Sequence, residues 1–145
     1  MNFKKYADDL ETFLKDEFKK TIPIVVLKDN SIIYKSFKIK KTKNDSWQLS
    51  FVNGNRLDEF KLKTSAIIAA KFYDKNNFAR ISEIKMLDAQ YWQHAMDAFI
   101  FNHRLKTVTD HEKYDIFTAR WELAKDREKL YREKISRMFR FSFDK

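Results

Sequence analysis

The sequence predicts an α+β fold from three successive patterns along the chain. Apolar residues recur at three- and four-residue steps over about residues 2–20, which indicates an amphipathic helix. A stretch rich in β-branched and alternating residues, interrupted by turn signals, then runs to about residue 63. From Thr64 onward the helical period returns. With 145 residues, we expect one domain, 1–145, in which 1–63 form a helix plus an antiparallel sheet and 64–145 form a helical half.

The first predicted helix places its apolar side chains on one stripe. They are Phe3, Tyr6, Ala7, Leu10, Phe13, Leu14 and Phe18. Lysines and acids largely take the other side, as in a helix with one buried face. Pro23 ends the segment, because a proline pushes the residue before it toward extended geometry.

The next segment predicts a four-stranded antiparallel meander. Turn residues separate the strands at Asp29-Asn30, at 43–45 and at Asn53-Gly54. Asn53-Gly54 is the strongest of these signals, since a type I′ turn needs positive φ at both central residues. The strands are expected at 24–27, 32–41, 47–52 and 56–63.

Three helices are expected in the second half. Thr64 or Ser65 caps a short helix that breaks at Asn76-Asn77, and a second helix runs over about 84–105. Thr109 and Glu112 form a capping-box pattern at the start of one long terminal helix, and the alternation of Phe139, Phe141 and Phe143 suggests an extended tail. The expected core includes Trp47, Leu49, Phe51, Trp92, Phe99, Phe117 and Trp121.

The terminal helix carries an apolar seam with steps of three and four residues. Its members are Tyr114, Phe117, Trp121, Ala124, Tyr131, Ile135 and Met138, and only Glu128 interrupts it. A second apolar stripe, Ile116, Leu123 and Leu130, has seven-residue spacing. The seam packs either on residues 84–105 of the same chain or on a second copy, and we expect a homo-oligomer through it.

The charge balance of the chain is strongly basic. Thirty basic residues stand against 21 acidic ones, and residues 22–63 hold nine basic and four acidic groups. Lys35, Lys38, Lys40, Lys41 and Lys43 lie near Tyr34, Phe37 and Trp47 on the predicted sheet. Cations beside aromatic rings suit single-stranded nucleic acid, and an acidic protein is the other partner that this charge favours. Alternatively, the lysines form a solvated face while Phe37 and Ile39 point to the core.

Several catalytic classes lack their residues. The chain has no cysteine and one glycine, which excludes cysteine-ligated metal centres and glycine-rich phosphate loops. His94, His103 and His111 form no metal-binding spacing. We therefore expect no catalytic residues, no metal and no cofactor, and a protein that is not an enzyme.

One resemblance points the other way. Asp58-Glu59-Phe60-Lys61, on a predicted strand after a helix and antiparallel strands, is similar to the acid-x-Lys strand of the restriction-endonuclease-like nucleases. The resemblance implies that two acids hold a divalent metal while the lysine supports the attacking water. The upstream acid would be Asp29 or Asp45, and the glycine and proline features of that family are missing.

The function expected from the sequence is that of a small binding or assembly protein. A nucleic-acid-binding protein that uses the lysine-rich hairpin is the first alternative, and a metal-dependent nuclease is the second. The sequence predicts no membrane span and no signal peptide, so a soluble, cytoplasmic protein is expected. Lysine outnumbers arginine 22 to 8, which is typical of an AT-rich genome such as that of a phage or a low-GC bacterium. A phage protein would act in the host cytoplasm or the virion.

Overall fold

The computed structural model describes residues 24–143, and the predicted helix 2–20 lies outside them. The described residues form five strands followed by three helices, so the fold is α+β. The strands are β1 (Val25–Val26), β2 (Ile32–Tyr34), β3 (Phe37–Lys41), β4 (Trp47–Phe51) and β5 (Arg56–Phe60). The helices are α1 (Lys63–Asp74), α2 (Phe78–Thr107) and α3 (His111–Phe143).

Each strand pairs antiparallel with the next, in the order β1-β2-β3-β4-β5. The prediction of four strands is wrong, because residues 32–41 fold back on themselves. Tyr34 lies opposite Phe37, and Lys35 turns the chain with a φ of 50°. A lysine rarely takes this conformation. The sequence did not predict the turn, because it lacks the glycine or asparagine that is typical of a two-residue hairpin turn.

The other predicted turns are confirmed in position. Asn30 and Asp45 have φ values of 67° and 59° in the first two turns. At Asn53-Gly54 only the glycine has a positive φ, of 101°, and the Phe51 N–H donates to the Asn55 carbonyl. This geometry matches a three-residue loop with a glycine bulge, so the expectation of a type I′ turn is wrong.

Helix α1 lies at the centre of the fold. All residues from Thr64 to Ala70 are buried, because the inner face of the sheet and the other two helices pack around this short helix. The prediction that Thr64 or Ser65 caps this helix is wrong. Leu62, which has no polar side chain, is the N-cap residue, and the carboxylate of Asp88 on α2 accepts its N–H and that of Lys61.

The core is built mainly from aliphatic side chains and a few rings. Its largest fully buried members are Tyr34, Tyr91, Phe60, Phe139, Ile32, Ile39, Leu49, Leu62, Ile67, Ile68 and Ile84. Leu49 is therefore the one buried residue of the seven expected in the core. Phe51 is exposed at the end of β4, and the other five aromatic residues are half-buried on the sheet and the two long helices.

Helices α2 and α3 form an antiparallel hairpin, called the arm below. At 1.5 Å per residue they are about 45 Å and 50 Å long. The base of the arm packs on α1 and the sheet through Ile84, Tyr91 and Ile135, which are all buried. None of the residues 99–123, all of which the structure describes, is buried. The tip of the arm therefore projects beyond the core.

The ends of the two arm helices differ from those expected. Helix α2 begins at Phe78 rather than near 84, with the Asn77 side chain accepting the Arg80 N–H. Asp110, and not Thr109, accepts the first N–H groups of α3, from Glu112 and Lys113. The expected extended tail is helical, because α3 continues to Phe143 and buries Phe139 against the core.

Candidate functional site

The structure separates the five lysines of the predicted nucleic-acid site. Lys35 lies in the β2–β3 turn, where its Nζ is 2.8 Å from the Asp74 carboxylate of α1. That hydrogen bond raises the pKa of Lys35 and lowers the pKa of Asp74. Lys38 and Lys40 lie on the outer face of the sheet, and Lys43 lies in the β3–β4 turn.

The outer-face lysines do not share a surface with the nearby rings. Phe37 and Ile39 alternate with Lys38 and Lys40 on β3, and both are buried on the inner face. Tyr34 is buried on the same inner face of β2. Among the residues that the structure describes, Lys38 and Lys40 therefore have no ring beside them on their own face of the sheet, as the alternative interpretation of the sequence predicted for the lysines of β3.

A different cluster brings lysines and rings together. Lys41 and Lys63 place their Nζ atoms 5.6 and 5.1 Å from the centre of the Trp47 ring. Lys61 places its Nζ 5.4 Å from the Trp92 ring on α2. These five residues, called the Lys–Trp cluster below, combine three cations with two half-buried indoles, the kind of contact known as cation–π.

Most of this cluster escapes sequence reasoning. Lys41 was among the predicted site residues, but Lys61 and Lys63 lie about 20 residues further along the chain. The register brings them close, because Trp47 pairs with Lys41 on one side and with Phe60 on the other. The proximity of Lys61 and Lys63 to Trp47 therefore depends on strand pairing, which the sequence alone does not show.

The acids of the Asp58-Glu59-Phe60-Lys61 strand do not converge. Asp58 faces the helices, where it accepts the Tyr73 hydroxyl at 3.1 Å and lies 3.2 Å from the Lys85 Nζ. Burial, followed by the neighbouring Asp58 charge, raises the pKa of Tyr73 to about 12. Glu59 is exposed on the opposite face of the sheet. Within residues 24–143, no three histidine or acidic side chains come together as metal ligands would.

The three histidines lie apart along the arm. His94 stacks on Tyr131 of α3, with ring centres 5.3 Å apart and planes 11° from parallel. Burial, followed by the charge of Arg127, lowers the pKa of His94. His103 and His111 are exposed near the tip. His94 therefore contributes to the contact between α2 and α3.

The predicted apolar seam of α3 faces α2 within the same chain. Ala124 and Ile135 are buried, and Phe117 lies 6.3 Å from the Phe101 ring of α2. Trp121, Tyr131 and Met138 are half-buried, whereas Tyr114 is 49% exposed near the tip. Glu128 is buried among these seam positions. Of the two packings left open by the sequence, the structure shows the intrachain one for most of the seam.

The second apolar stripe of α3 is exposed. Ile116, Leu123 and Leu130 keep 45%, 49% and 47% of their surface accessible. They lie on a side of α3 that packing on α2 leaves accessible. These three residues are called the exposed stripe below.

A groove of about 650 Å³ lies at the base of the arm, between the start of α2 and the end of α3. Its apolar walls include Phe72, Met86, Leu87 and Met138. Arg80, Lys134 and Arg137 line it with Glu83, whose carboxylate lies 2.6 Å from the Arg80 guanidinium. The groove contains no pair of acids and no histidine among its lining residues.

No helix within residues 24–143 has an apolar run of the length and low charge that crossing a membrane requires. No family model matches the chain, and neither the curated proteins nor the solved structures contain a significant match.

Proposed function

We propose that this protein is a small assembly protein without catalytic activity, and that copies of it associate through the arm. The observation that carries the proposal is the exposed stripe. Three large aliphatic residues at seven-residue intervals stay about half accessible on a helix whose other side is already packed. An apolar residue that recurs every seven positions returns to nearly the same side of a helix, which is the arrangement through which helices pair in coiled coils.

The intrachain packing of the arm supports this assignment of the stripe. Ala124, Ile135 and the half-buried rings of the seam already hold α3 against α2. The exposed stripe is therefore not required to close the hairpin. A polar residue at Leu123 would be tolerated by the monomer, so its aliphatic character favours a role between chains.

The absence of catalysis is part of the proposal and has its own support. Asp58 and Glu59 lie on opposite faces of β5, and Asp58 is engaged by Tyr73 and Lys85. His94 is stacked between the arm helices. These arrangements suit structural roles better than acid–base chemistry.

Charge placed on the exposed stripe tests the proposal. We expect Leu123→Lys to be a monomer by size-exclusion chromatography with light scattering, because it sets a charge into the interface. The matched control is Met96→Lys, which introduces the same charge at a partly exposed apolar position on α2 and should keep the wild-type mass. Both variants should keep the helical circular dichroism of the wild type. An unchanged mass for Leu123→Lys would contradict the proposal.

Nucleic-acid binding is the second candidate function, and the Lys–Trp cluster favours it. Single-stranded binders combine cations for phosphates with rings on which bases stack. Each of its three lysines places its Nζ within 6 Å of the centre of one of the two indole rings. Fluorescence anisotropy with labelled single-stranded DNA should then show binding that weakens steeply with salt. No binding at low salt would remove this candidate.

A further inference from the structure

The pattern of residues on α3 specifies how two copies would meet. We infer that two copies pair α3 against α3 in antiparallel orientation, with the two-fold axis passing beside Leu123. The inference rests on the proposed function, because it names the partner and the geometry for the exposed stripe. It is carried by a symmetry of the sequence about Leu123, combined with the exposure of the residues involved.

The symmetry lies along one line of the helix surface. Ile116 and Leu130 each stand seven residues from Leu123, and Glu112 and Lys134 each stand eleven residues from it. At 100° per residue, both offsets return to within about 20° of the direction of Leu123. All five of these residues are exposed. The three central ones are aliphatic, Glu112 is acidic at one end, and Lys134 is basic at the other, where it also lines the groove.

An antiparallel pair matches these positions with one another. Ile116 would meet the partner subunit's Leu130, and Leu123 would meet its own copy. Glu112 would meet the partner subunit's Lys134, which is of opposite charge. A parallel pair would instead set Glu112 against Glu112 and Lys134 against Lys134, and both of those contacts are repulsive.

One flanking pair obeys the same rule. Arg120 and Asp126 lie three residues on either side of Leu123, about 60° from its direction, and carry opposite charges. Both are exposed, and the Arg120 guanidinium also lies 5.9 Å from the centre of the Phe101 ring of α2. An isologous contact, in which one patch faces its own copy, requires this kind of self-complementarity.

Crosslinking between single cysteines tests the orientation. The chain has no cysteine, so each introduced thiol is unique. With a short bismaleimide, Leu123→Cys should crosslink to its own copy. Ile116→Cys alone should not, because its copy would lie 14 residues, or about 21 Å, further along the pair. A mixture of Ile116→Cys and Leu130→Cys chains should form the mixed dimer.

Exchange of charges provides an independent test of the register. Glu112→Lys and Lys134→Glu should each weaken dimerisation by roughly three- to tenfold in sedimentation equilibrium. The double variant should restore it. Within one chain the two positions are about 33 Å apart, so the rescue can only arise between chains.

The outcomes separate the inference from the proposed function. Efficient crosslinking of Ile116→Cys to its own copy would show a parallel pair, and would overturn the antiparallel inference while leaving assembly in place. A dimeric protein in which none of the three cysteine variants crosslinks would overturn the inference in the same way. A monomeric wild type would overturn both.

Discussion

Asp88 and Leu62, 26 residues apart in sequence, are joined by a hydrogen bond of 3.0 Å from the Leu62 N–H to the Asp88 carboxylate. The same carboxylate accepts the Lys61 N–H at 2.8 Å. Because Leu62 is the N-cap residue of α1, Asp88 accepts the same N–H that the acidic residue of a capping box would accept, but from another helix. The contact fixes the base of the arm to the start of the central helix.

This contact predicts an unusual pH dependence. Burial raises the pKa of Asp88 from 3.8 to about 6, although the hydrogen bonds from Lys61 and Leu62 oppose the shift. Between these two values the folded state holds a proton that the unfolded state has lost, so Asp88 lowers stability as the pH rises. Asparagine does not titrate, so the free energy of unfolding of Asp88→Asn, relative to that of the wild type, should increase by up to about 3 kcal/mol between pH 4 and 7. Urea unfolding at several pH values measures the difference, and a gap independent of pH would contradict the prediction.

The location of the core predicts which aromatic residues matter for stability. Phe60 is fully buried between the sheet and α1, whereas Phe51 is exposed at the end of β4. Phe60→Ala should lower the free energy of unfolding by about 3–5 kcal/mol, and Phe51→Ala should lower it much less. Denaturant melts of the two variants test this, and equal losses would show that the assigned core is wrong.

The seam and the exposed stripe should respond differently to the same substitution. Ile135 is buried at the base of the arm, so Ile135→Glu places a charge in the core and should destabilise the fold by several kcal/mol. Leu130→Glu, on the exposed stripe, should weaken self-association and lower the melting temperature only by the stabilisation that dimerisation provides. Thermal melts and light scattering of both variants separate the two roles. Loss of fold in Leu130→Glu would place this residue in the core.

Two triple charge reversals locate any nucleic-acid site. Lys41, Lys61 and Lys63 belong to the Lys–Trp cluster, whereas Lys38, Lys40 and Lys43 lie on the outer face and its turn. Changing either set to glutamate alters the net charge by the same amount. If the cluster binds single-stranded DNA, reversal of its three lysines should weaken binding more in fluorescence anisotropy. Equal losses would show that only the overall charge is sensed.

The sequence predicted the elements whose signals are local. The break at Asn76-Asn77 and the turns at Asn30 and Asp45 follow from side chains that tolerate positive φ, and the structure confirms them. The Lys35 turn was missed because its strained residue is a lysine, held by the ion pair to Asp74. The contact of Asp88 with the start of α1 was missed because Asp88 is remote in sequence from Leu62.

The candidate sites show the same division. Periodicity identified both apolar stripes of α3, and could not decide whether the seam packs on α2 or on a second copy, because either packing would bury the same apolar face. The five predicted lysines do not form one surface, because Lys35 lies in the additional turn and the side chains of β3 alternate between the two faces of the sheet. The Lys–Trp cluster depends on strand register, which no single stretch of sequence encodes.

The mass of the wild-type chain in solution tests the central claim most directly. Sedimentation equilibrium over a range of micromolar concentrations should give about 35 kDa, twice the 17.6 kDa of one chain, with dissociation on dilution. A mass of 17.6 kDa at every concentration would show that the exposed stripe does not join two copies, and would contradict the claim.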